Sequence, residues 1–320
     1  MGVLLIALSP EEFGEHIRAR VRALAGNRRV VYTTDRAEIE RLLPELEIVA
    51  GFFPSEWVVR APNLRWYQQW GAGADWLMKH PEAVEKDFIL TNASGVHTIP
   101  ISEHIIGMLL ALGRGLHHAA QAQARHEWWR PSADTMFELS GKTMLLIGVG
   151  AIGARTAAIA TALGMRVEGV RSNPERPADG VAAMFGPQQL AERLPNADVV
   201  VLTVPLSPDT HAMIGETEFH LMKPSAIIVN IGRGGTIDEP ALIAALRDGH
   251  IAGAALDVFA QEPLPADSPL WDMPNVFLTS HYSGINPLYN ERAMAIFLDN
   301  LERFEAGAEM RNVVDKRAGY

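Results

Sequence analysis

The 320-residue sequence contains no cysteine. Disulfides, thiolate nucleophiles and cysteine-ligated zinc are thereby excluded, which suits a reducing compartment. Long apolar runs are missing too: Val3–Leu8 is too short to span a bilayer, lacks a basic leader and reads as a buried first strand. Ile6 stands where a myristoylation signal wants serine or threonine. Positive charge is scarce, with 28 lysines and arginines against 38 acidic residues and a formal net charge of −10. That balance argues against nucleic acid, whose binders carry a basic face, while leaving room for small anions held by a few local arginines. Internal repeats and low-complexity segments do not stand out. His97 and His104 have no companions at metal-ligating spacing, so no metal is expected. A cytoplasmic protein without membrane or nucleic-acid partners is the expectation.

At this length two domains are expected, because a single hydrophobic core usually stops growing sooner. Short apolar runs alternate with helical patterns from the start. Strands are predicted at Val3–Leu8, Arg29–Thr33, Glu47–Phe53, Leu64–Trp70 and Phe88–Thr91, with helices over Glu11–Leu24 and Arg36–Leu43. Such alternation implies a parallel sheet wrapped by helices. Beyond Pro100 the spacing predicts one long helix from Ser102, its N-cap, to about Arg125, with Ile105, Ile106, Met108, Leu109 and Leu112 on a broad apolar face. Further strands at Ala197–Thr203, Ala226–Ile231, Ile251–Leu256 and Val276–Thr279 join two preceding ones to give about six parallel strands, and an amphipathic helix closes the pattern over Leu288–Phe304. Chain crossings are expected near Thr98–Pro100 and Ile285–Pro287. They place a substrate domain at 1–98 and 287–320, a dinucleotide-binding domain at 99–286, and a hinged cleft between them.

The stretch Met144–Gly153 carries the most specific signal. Its apolar run breaks into Gly148-Val149-Gly150-Ala151-Ile152-Gly153 and continues as a small-residue helix, followed by a second strand near Arg166–Arg171. Strand, tight turn and helix are the setting in which this glycine spacing lets a dinucleotide pyrophosphate approach the backbone at a helix N-terminus.

Arg233, Glu262 and His281 each lie just past a predicted strand of this second domain, where open α/β sheets place their ligands. Taken singly, each has an ordinary reading: a surface charge in a glycine turn, a loop glutamate before Pro263, a structural histidine. Together they suit a reaction in which a guanidinium holds a carboxylate and polarises a carbonyl, a histidine moves a proton, and a glutamate orients that histidine and holds its charged form.

The chain resembles the D-isomer-specific 2-hydroxyacid dehydrogenase family along nearly its full length. The resemblance is carried by Gly71-Ala-Gly73-Ala-Asp75, Asn92-Ala-Ser-Gly-Val96 with Ser102-Glu103-His104, the glycine motif, Val204-Pro-Leu206 with Thr210-His211, Asn230-Ile-Gly-Arg-Gly-Gly235, Leu256-Asp-Val-Phe259 with Glu262-Pro263, and Ser280-His281. It implies an α/β architecture with a Rossmann-type doubly wound parallel sheet inserted in a smaller flavodoxin-like substrate domain. The implied roles follow. Arg233 binds the substrate carboxylate and polarises the C2 carbonyl, His281 is the general acid/base, and Glu262 pairs with it. Ala72 and Gly73 N–H groups receive the carboxylate, Asp257 orients the nicotinamide carboxamide, and Pro205 and Ile231 line the cofactor groove.

The dinucleotide pattern has one departure. Where an acidic residue about 20 positions on would hold the adenosine ribose, this strand ends Val170-Arg171-Ser172, and Glu168 falls too early. Arginine beside a hydroxyl suits a 2′-phosphate, so NADP(H) is expected over NAD(H), with Arg176 as a helper and NAD(H) use still possible. The activity implied is reduction of small 2-keto acids, of glyoxylate or hydroxypyruvate type, to D-2-hydroxy acids. Phosphite oxidation on the same scaffold and a non-catalytic, cofactor-sensing corepressor-like protein are the alternatives. A homodimer is expected from the resemblance and from the Ile105–Leu112 face, which one chain need not cover. Trp128 and Trp129 suit a subunit contact like that of related hydroxypyruvate reductases, or ordinary aromatic packing; Trp70, Trp76 and Tyr282 flank the expected site loops.

Overall fold

The computed structural model describes residues 2–319, apart from the Asp134 side chain. The chain divides into two compact units, one of residues up to Val96 together with those from Asn286 on, the other His97–Ile285. In sequence, the second interrupts the first.

In the first unit, β1 (Val3–Ala7), β2 (Arg29–Tyr32), β3 (Leu46–Gly51), β4 (Trp66–Gln69) and β5 (Ile89–Thr91) form an all-parallel sheet in the order β2-β1-β3-β4-β5. That is the flavodoxin-like strand order. β1 is buried along its whole length, so both faces of the sheet need cover, and the crossover helices supply it. One face takes the helix Tyr289–Ala306, whose Ala293, Met294, Phe297, Leu298 and Leu301 recur at helical spacing and pack with Leu4, Ile6, Ile48 and Trp66. Trp66 stacks on Phe297 with ring centroids 5.3 Å apart, and its indole N–H is satisfied by Thr91 Oγ1 at 2.8 Å.

The second unit holds β6 (Thr143–Ile147), β7 (Arg166–Val170), β8 (Ala183–Phe185), β9 (Val199–Leu202), β10 (Ile227–Asn230), β11 (Gly253–Leu256) and β12 (Val276–Leu278), all parallel, in the order β12-β11-β10-β9-β6-β7-β8. This is the dinucleotide-binding order with one strand added at the β12 edge, and the order reverses between β6 and β9. The period-two alternation of the strands sorts their side chains into two layers. Leu145, Ile147, Val200, Leu202, Ile228, Ala254 and Leu256 face helices Glu216–Leu221 and Glu239–Arg247. Met144, Leu146, Val199, Val201, Ile227, Val229 and Ala255 face helices Thr98–Gly113 and Ala151–Ala162.

Register decides what leaves the sheet together. Ile147 is level with Val170 and Leu202, Leu202 with Asn230, Asn230 with Leu256, and Leu256 with Leu278. Gly148, Arg171, Thr203, Ile231, Asp257 and Thr279 therefore emerge as one row along the carboxyl edge.

Four expectations need correction. The long helix is two helices, Thr98–Gly113 and Leu116–Ala124, bent by 71° at Gly115, whose left-handed backbone (φ 62°) ends one and starts the other. Ser102 is no N-cap: it lies inside the first helix, buried, with Oγ donating to the Ile99 carbonyl at 2.9 Å. The sheet has seven strands rather than about six, since β8 is only three residues long and follows a Pro- and Gly-containing loop that gives no strand signal. The apolar face expected to need a second subunit is largely covered within its own unit, Ile105, Ile106, Met108 and Leu109 all being buried against the sheet and helix Ala151–Ala162. Among the large apolar side chains that are exposed, Leu116, Trp128 and Trp129 follow helix Thr98–Gly113 in the chain. Among the described residues no single helix is long and apolar enough to cross a membrane.

Candidate active site

The glycine motif occupies the turn between β6 and helix Ala151–Ala162. Gly148 has φ 97°, and a Cβ there would lie 2.8 Å from Val204 Cγ1; a Cβ on Gly153 would lie 2.4 Å from the Gly148 carbonyl oxygen. Both glycines are demanded by the turn and by close packing of helix on strand. Gly150 differs: it is the N-cap, and a Cβ there would meet nothing within 4 Å. Open space over this backbone, at the start of a helix with no acidic residue in its first turn, fits a pyrophosphate. Exposed Ala151 and half-buried Ile152 form that first turn.

Arg171 follows β7 directly, its N–H bonded to the Phe185 carbonyl at 3.0 Å, and is partly exposed; Ser172 and Arg176 are exposed. Glu168 is buried in mid-strand with its carboxylate 3.2 Å from Arg166 Nε. The strand end therefore presents a guanidinium and a hydroxyl and no carboxylate. Pro205 is exposed beyond β9, its carbonyl accepting from Thr210 Oγ1 at 2.6 Å, and Ile231 is mostly buried beyond β10.

Arg233 sits in a turn that Asn230 builds. Asn230 Oδ1 accepts from Gly232 N–H at 3.1 Å, and its Nδ2 donates to the Arg233 carbonyl at 3.0 Å; Thr236 Oγ1 donates to the same carbonyl at 2.7 Å. Gly234 has to be glycine, since a Cβ would fall 1.9 Å from the Phe259 carbonyl. Nη1 of the half-buried guanidinium donates to the Gly232 carbonyl at 2.8 Å.

Glu262 and His281 are brought together across the loops after β11 and β12. Glu262 Oε1 accepts the Phe259 N–H at 3.0 Å, and Oε2 lies 2.6 Å from His281 Nδ1. A carboxylate can only accept, so Nδ1 carries the hydrogen and Nε2 is the nitrogen left for proton exchange. His281 is also one of the few non-glycine residues in the left-handed region, at φ 53°. That conformation costs about 1 kcal/mol or more and persists where surroundings over-determine it.

Asp257 supplies the over-determination. Fully buried, it accepts the His281 N–H at its carbonyl (2.9 Å), Thr279 Oγ1 and Tyr282 N–H at Oδ1 (2.6 and 3.1 Å) and Ser283 N–H at Oδ2 (3.1 Å). It holds the turn that carries His281. Thr279 in turn accepts from His104 Nε2 at 3.0 Å, and the His104 ring meets Tyr282 edge-on at 5.4 Å. Burial pushes the His104 imidazole below its ordinary range, against the pull of the Asp257 charge. His97 is likewise lowered, by burial first and then by the charges of Arg233 and His281, against a hydrogen bond from Nδ1 to the Gly284 carbonyl at 3.2 Å.

Sequence reasoning did not assign His104, Thr279 or His97 to this neighbourhood. The only signal for His104 was its place in the Ser102-Glu103-His104 segment, and contact with Thr279 depends on folding across 175 positions of chain. Among the described residues no group of three or more histidine, cysteine or acidic side chains could hold a metal ion.

In the first unit, Ala72 and Gly73 lie in the loop after β4, partly exposed. Among the described residues their N–H groups make no hydrogen bond within the protein.

Residues 106–283 match the family described as D-isomer specific 2-hydroxyacid dehydrogenase, NAD binding domain. The chain belongs to this family. It is 34% identical over 288 residues to an (S)-sulfolactate dehydrogenase of Chromohalobacter salexigens, covering 89% of this chain and 87% of that one. It is 34% identical over 262 residues to a glyoxylate reductase of Korarchaeum cryptofilum, covering 80% and 77%. Among solved structures, an NADPH-dependent glyoxylate/hydroxypyruvate reductase of Sinorhizobium meliloti, in complex with NADP and sulfate, is similar over 100% of both chains with a TM-score of 0.83 and 28% identity. The protein is thus an oxidoreductase of the 2-hydroxyacid dehydrogenase family, with two parallel α/β units.

Proposed function

We propose that this dehydrogenase reduces small 2-keto acids of the glyoxylate or hydroxypyruvate type to D-2-hydroxy acids and prefers NADPH. The observation that carries the reading is the 2.6 Å bond between Glu262 and His281 Nδ1, which aims Nε2 outward as a proton donor, in the same unit as Arg233. When bound, the nicotinamide supplies a hydride to substrate C2. Arg233 holds the carboxylate and polarises the carbonyl, and His281 Nε2 delivers a proton to the carbonyl oxygen while Glu262 keeps Nδ1 protonated. In the oxidative direction the same nitrogen takes the proton back. Ala72 and Gly73 offer backbone N–H groups to the carboxylate. Gly148, Gly150, Ala151, Ile152 and Gly153 cradle the pyrophosphate, Pro205 and Ile231 border the nicotinamide half, and Asp257 acts there through the turn that it holds. This assigns substrate binding to residues 1–98 and 287–320 and cofactor binding to 99–286.

NADPH preference rests on Arg171 and Ser172, which can take a 2′-phosphate and put no carboxylate against it. The solved Sinorhizobium reductase, called NADPH-dependent, supports the same reading. Kinetics with NADPH and NADH on glyoxylate, hydroxypyruvate, pyruvate and, in the oxidative direction, sulfolactate test it. NADPH should give the higher kcat/KM, and Arg171→Ala should lower kcat/KM for NADPH about tenfold or more while sparing NADH. A wild-type preference for NADH sinks the cofactor assignment. Tight cofactor binding with no turnover of any acid would favour a sensing protein instead. A homodimer is also proposed, on the exposed Leu116, Trp128 and Trp129, of which Trp128 is 96% exposed; sedimentation as a monomer would contradict it.

A further inference from the structure

The loop from Gly71 to Gly73 turns its carbonyls into the protein. Gly71 O accepts from Ala93 N–H and from Gln69 Nε2, each at 3.1 Å, Ala72 O from Asn92 Nδ2 at 2.8 Å, and Gly73 O from Gln69 Nε2 at 2.6 Å. A trans peptide opposes its C=O and N–H. Three inward carbonyls therefore send the N–H groups of Ala72, Gly73 and Ala74 the other way, a run of donors that suits an anion.

Gln69 is the side chain that imposes this. It ends β4 and is 4% exposed, and both hydrogens of its amide are spent on loop carbonyls. Which way the amide points is decided by Trp76, whose Nε1–H donates to Gln69 Oε1 at 2.9 Å. An indole N–H can only donate, so the amide oxygen must face Trp76 and the NH2 must face the two carbonyls. Flipping the amide would set its oxygen against two carbonyl oxygens. Trp76 itself is held between Tyr67 and His80, with ring centroids at 6.5 and 6.3 Å.

We propose that Gln69, oriented by Trp76, is a positioning residue that presents the Ala72 and Gly73 N–H groups to the substrate carboxylate. The inference rests on the keto-acid reading above and names a residue that acts on substrate only through backbone. It predicts a defect confined to the acid group of the substrate.

The test is calorimetric titration of the NADP+-saturated protein with oxalate, paired with turnover of glyoxylate and of its uncharged methyl ester. Gln69→Ala should weaken oxalate about tenfold, or ~1.4 kcal/mol, and raise KM for glyoxylate similarly. Affinity for NADP+, kcat, and kcat/KM for the ester should stay within about twofold of wild type, a split that general misfolding would not produce. If Gln69→Ala does not fold, Trp76→Phe, which removes the orienting N–H while keeping a smaller aromatic ring in place, should weaken oxalate about threefold. Unchanged oxalate affinity in these variants, or a wild-type protein that binds no oxalate, overturns the proposal, as does a parallel loss on acid and ester. A wild-type protein that binds oxalate but reduces no keto acid would refute the reductase reading and leave the role of Gln69 standing.

Discussion

Replacing Glu262 by glutamine removes a charge with almost no change of volume, and the two oxygens of Glu262 have separate tasks. Oε1 takes the Phe259 N–H at 3.0 Å and Oε2 meets His281 Nδ1 at 2.6 Å. A glutamine that keeps its oxygen on Phe259 turns its NH2 toward Nδ1, which then has to accept. The imidazole is driven into the Nε2–H tautomer, and its doubly protonated form has a donor facing a donor. A hydrogen bond between charged partners contributes ~1.5–3 kcal/mol. With His281 48% and Glu262 34% exposed, solvent screening puts this one at the lower end, about 1.5 kcal/mol. That alone is about tenfold in rate, and the wrong tautomer adds to it, so kcat/KM for keto-acid reduction should fall roughly 10- to 100-fold. Loss of the reduced nicotinamide's near-ultraviolet absorbance measures it, with glyoxylate across a range of pH. Cofactor affinity should not change. A Glu262→Gln protein within threefold of wild type would refute the reasoning.

Other consequences are simpler to read. Asp257→Asn keeps an acceptor for Thr279 and Tyr282 but sets its NH2 against the Ser283 N–H, so denaturant unfolding should show a loss of about 1–3 kcal/mol together with a lower kcat as the His281 turn loosens. Gly234→Ala puts a Cβ where the Phe259 carbonyl now lies, 1.9 Å away, and should cost about 3 kcal/mol in the same assay. His104 is held below its unfolded range by burial, so the unfolded chain binds the proton first. Stability from this residue is complete above its unfolded value and is lost as pH falls through that range toward the lower folded one. The melting temperature of His104→Gln should accordingly drop less than that of wild type between neutral and mildly acid pH. Parallel curves would show that His104 is not the titrating group.

The elements legible in the sequence were those whose signal is local. Gly148, Gly150 and Gly153 between an apolar strand and a small-residue helix specify their turn through backbone sterics, and the structure needs the first for the turn and the third for close packing of helix on strand. The alternation of strands and helices implied parallel sheets because buried strands need cover on both faces. Where local signals were weak or interrupted, the reading slipped: β8 is too short to show a period, and Gly115 bends by its backbone conformation a helix that looks continuous in apolar spacing. Arg171 was readable as a strand-end arginine because strand ends can be counted.

Tertiary structure alone decided how these groups act on one another. Register brings Gly148, Arg171, Ile231, Asp257 and Thr279 to one edge, though they are spread over more than a hundred positions of sequence. The sequence marks Asp257 through the family resemblance, with a role toward the nicotinamide carboxamide, and gives no sign of its partners in the fold. Its work on the His281 turn exists only because β11 and β12 pair, which carries the residues after them into hydrogen-bonding reach. Gln69 makes the same point: neighbours in sequence told nothing of which way its amide faces, since that is set by the single donor of Trp76 and by carbonyls that the fold turns inward. Local sterics and periodicity are written residue by residue, whereas the partner of a buried polar group is chosen by packing across the chain.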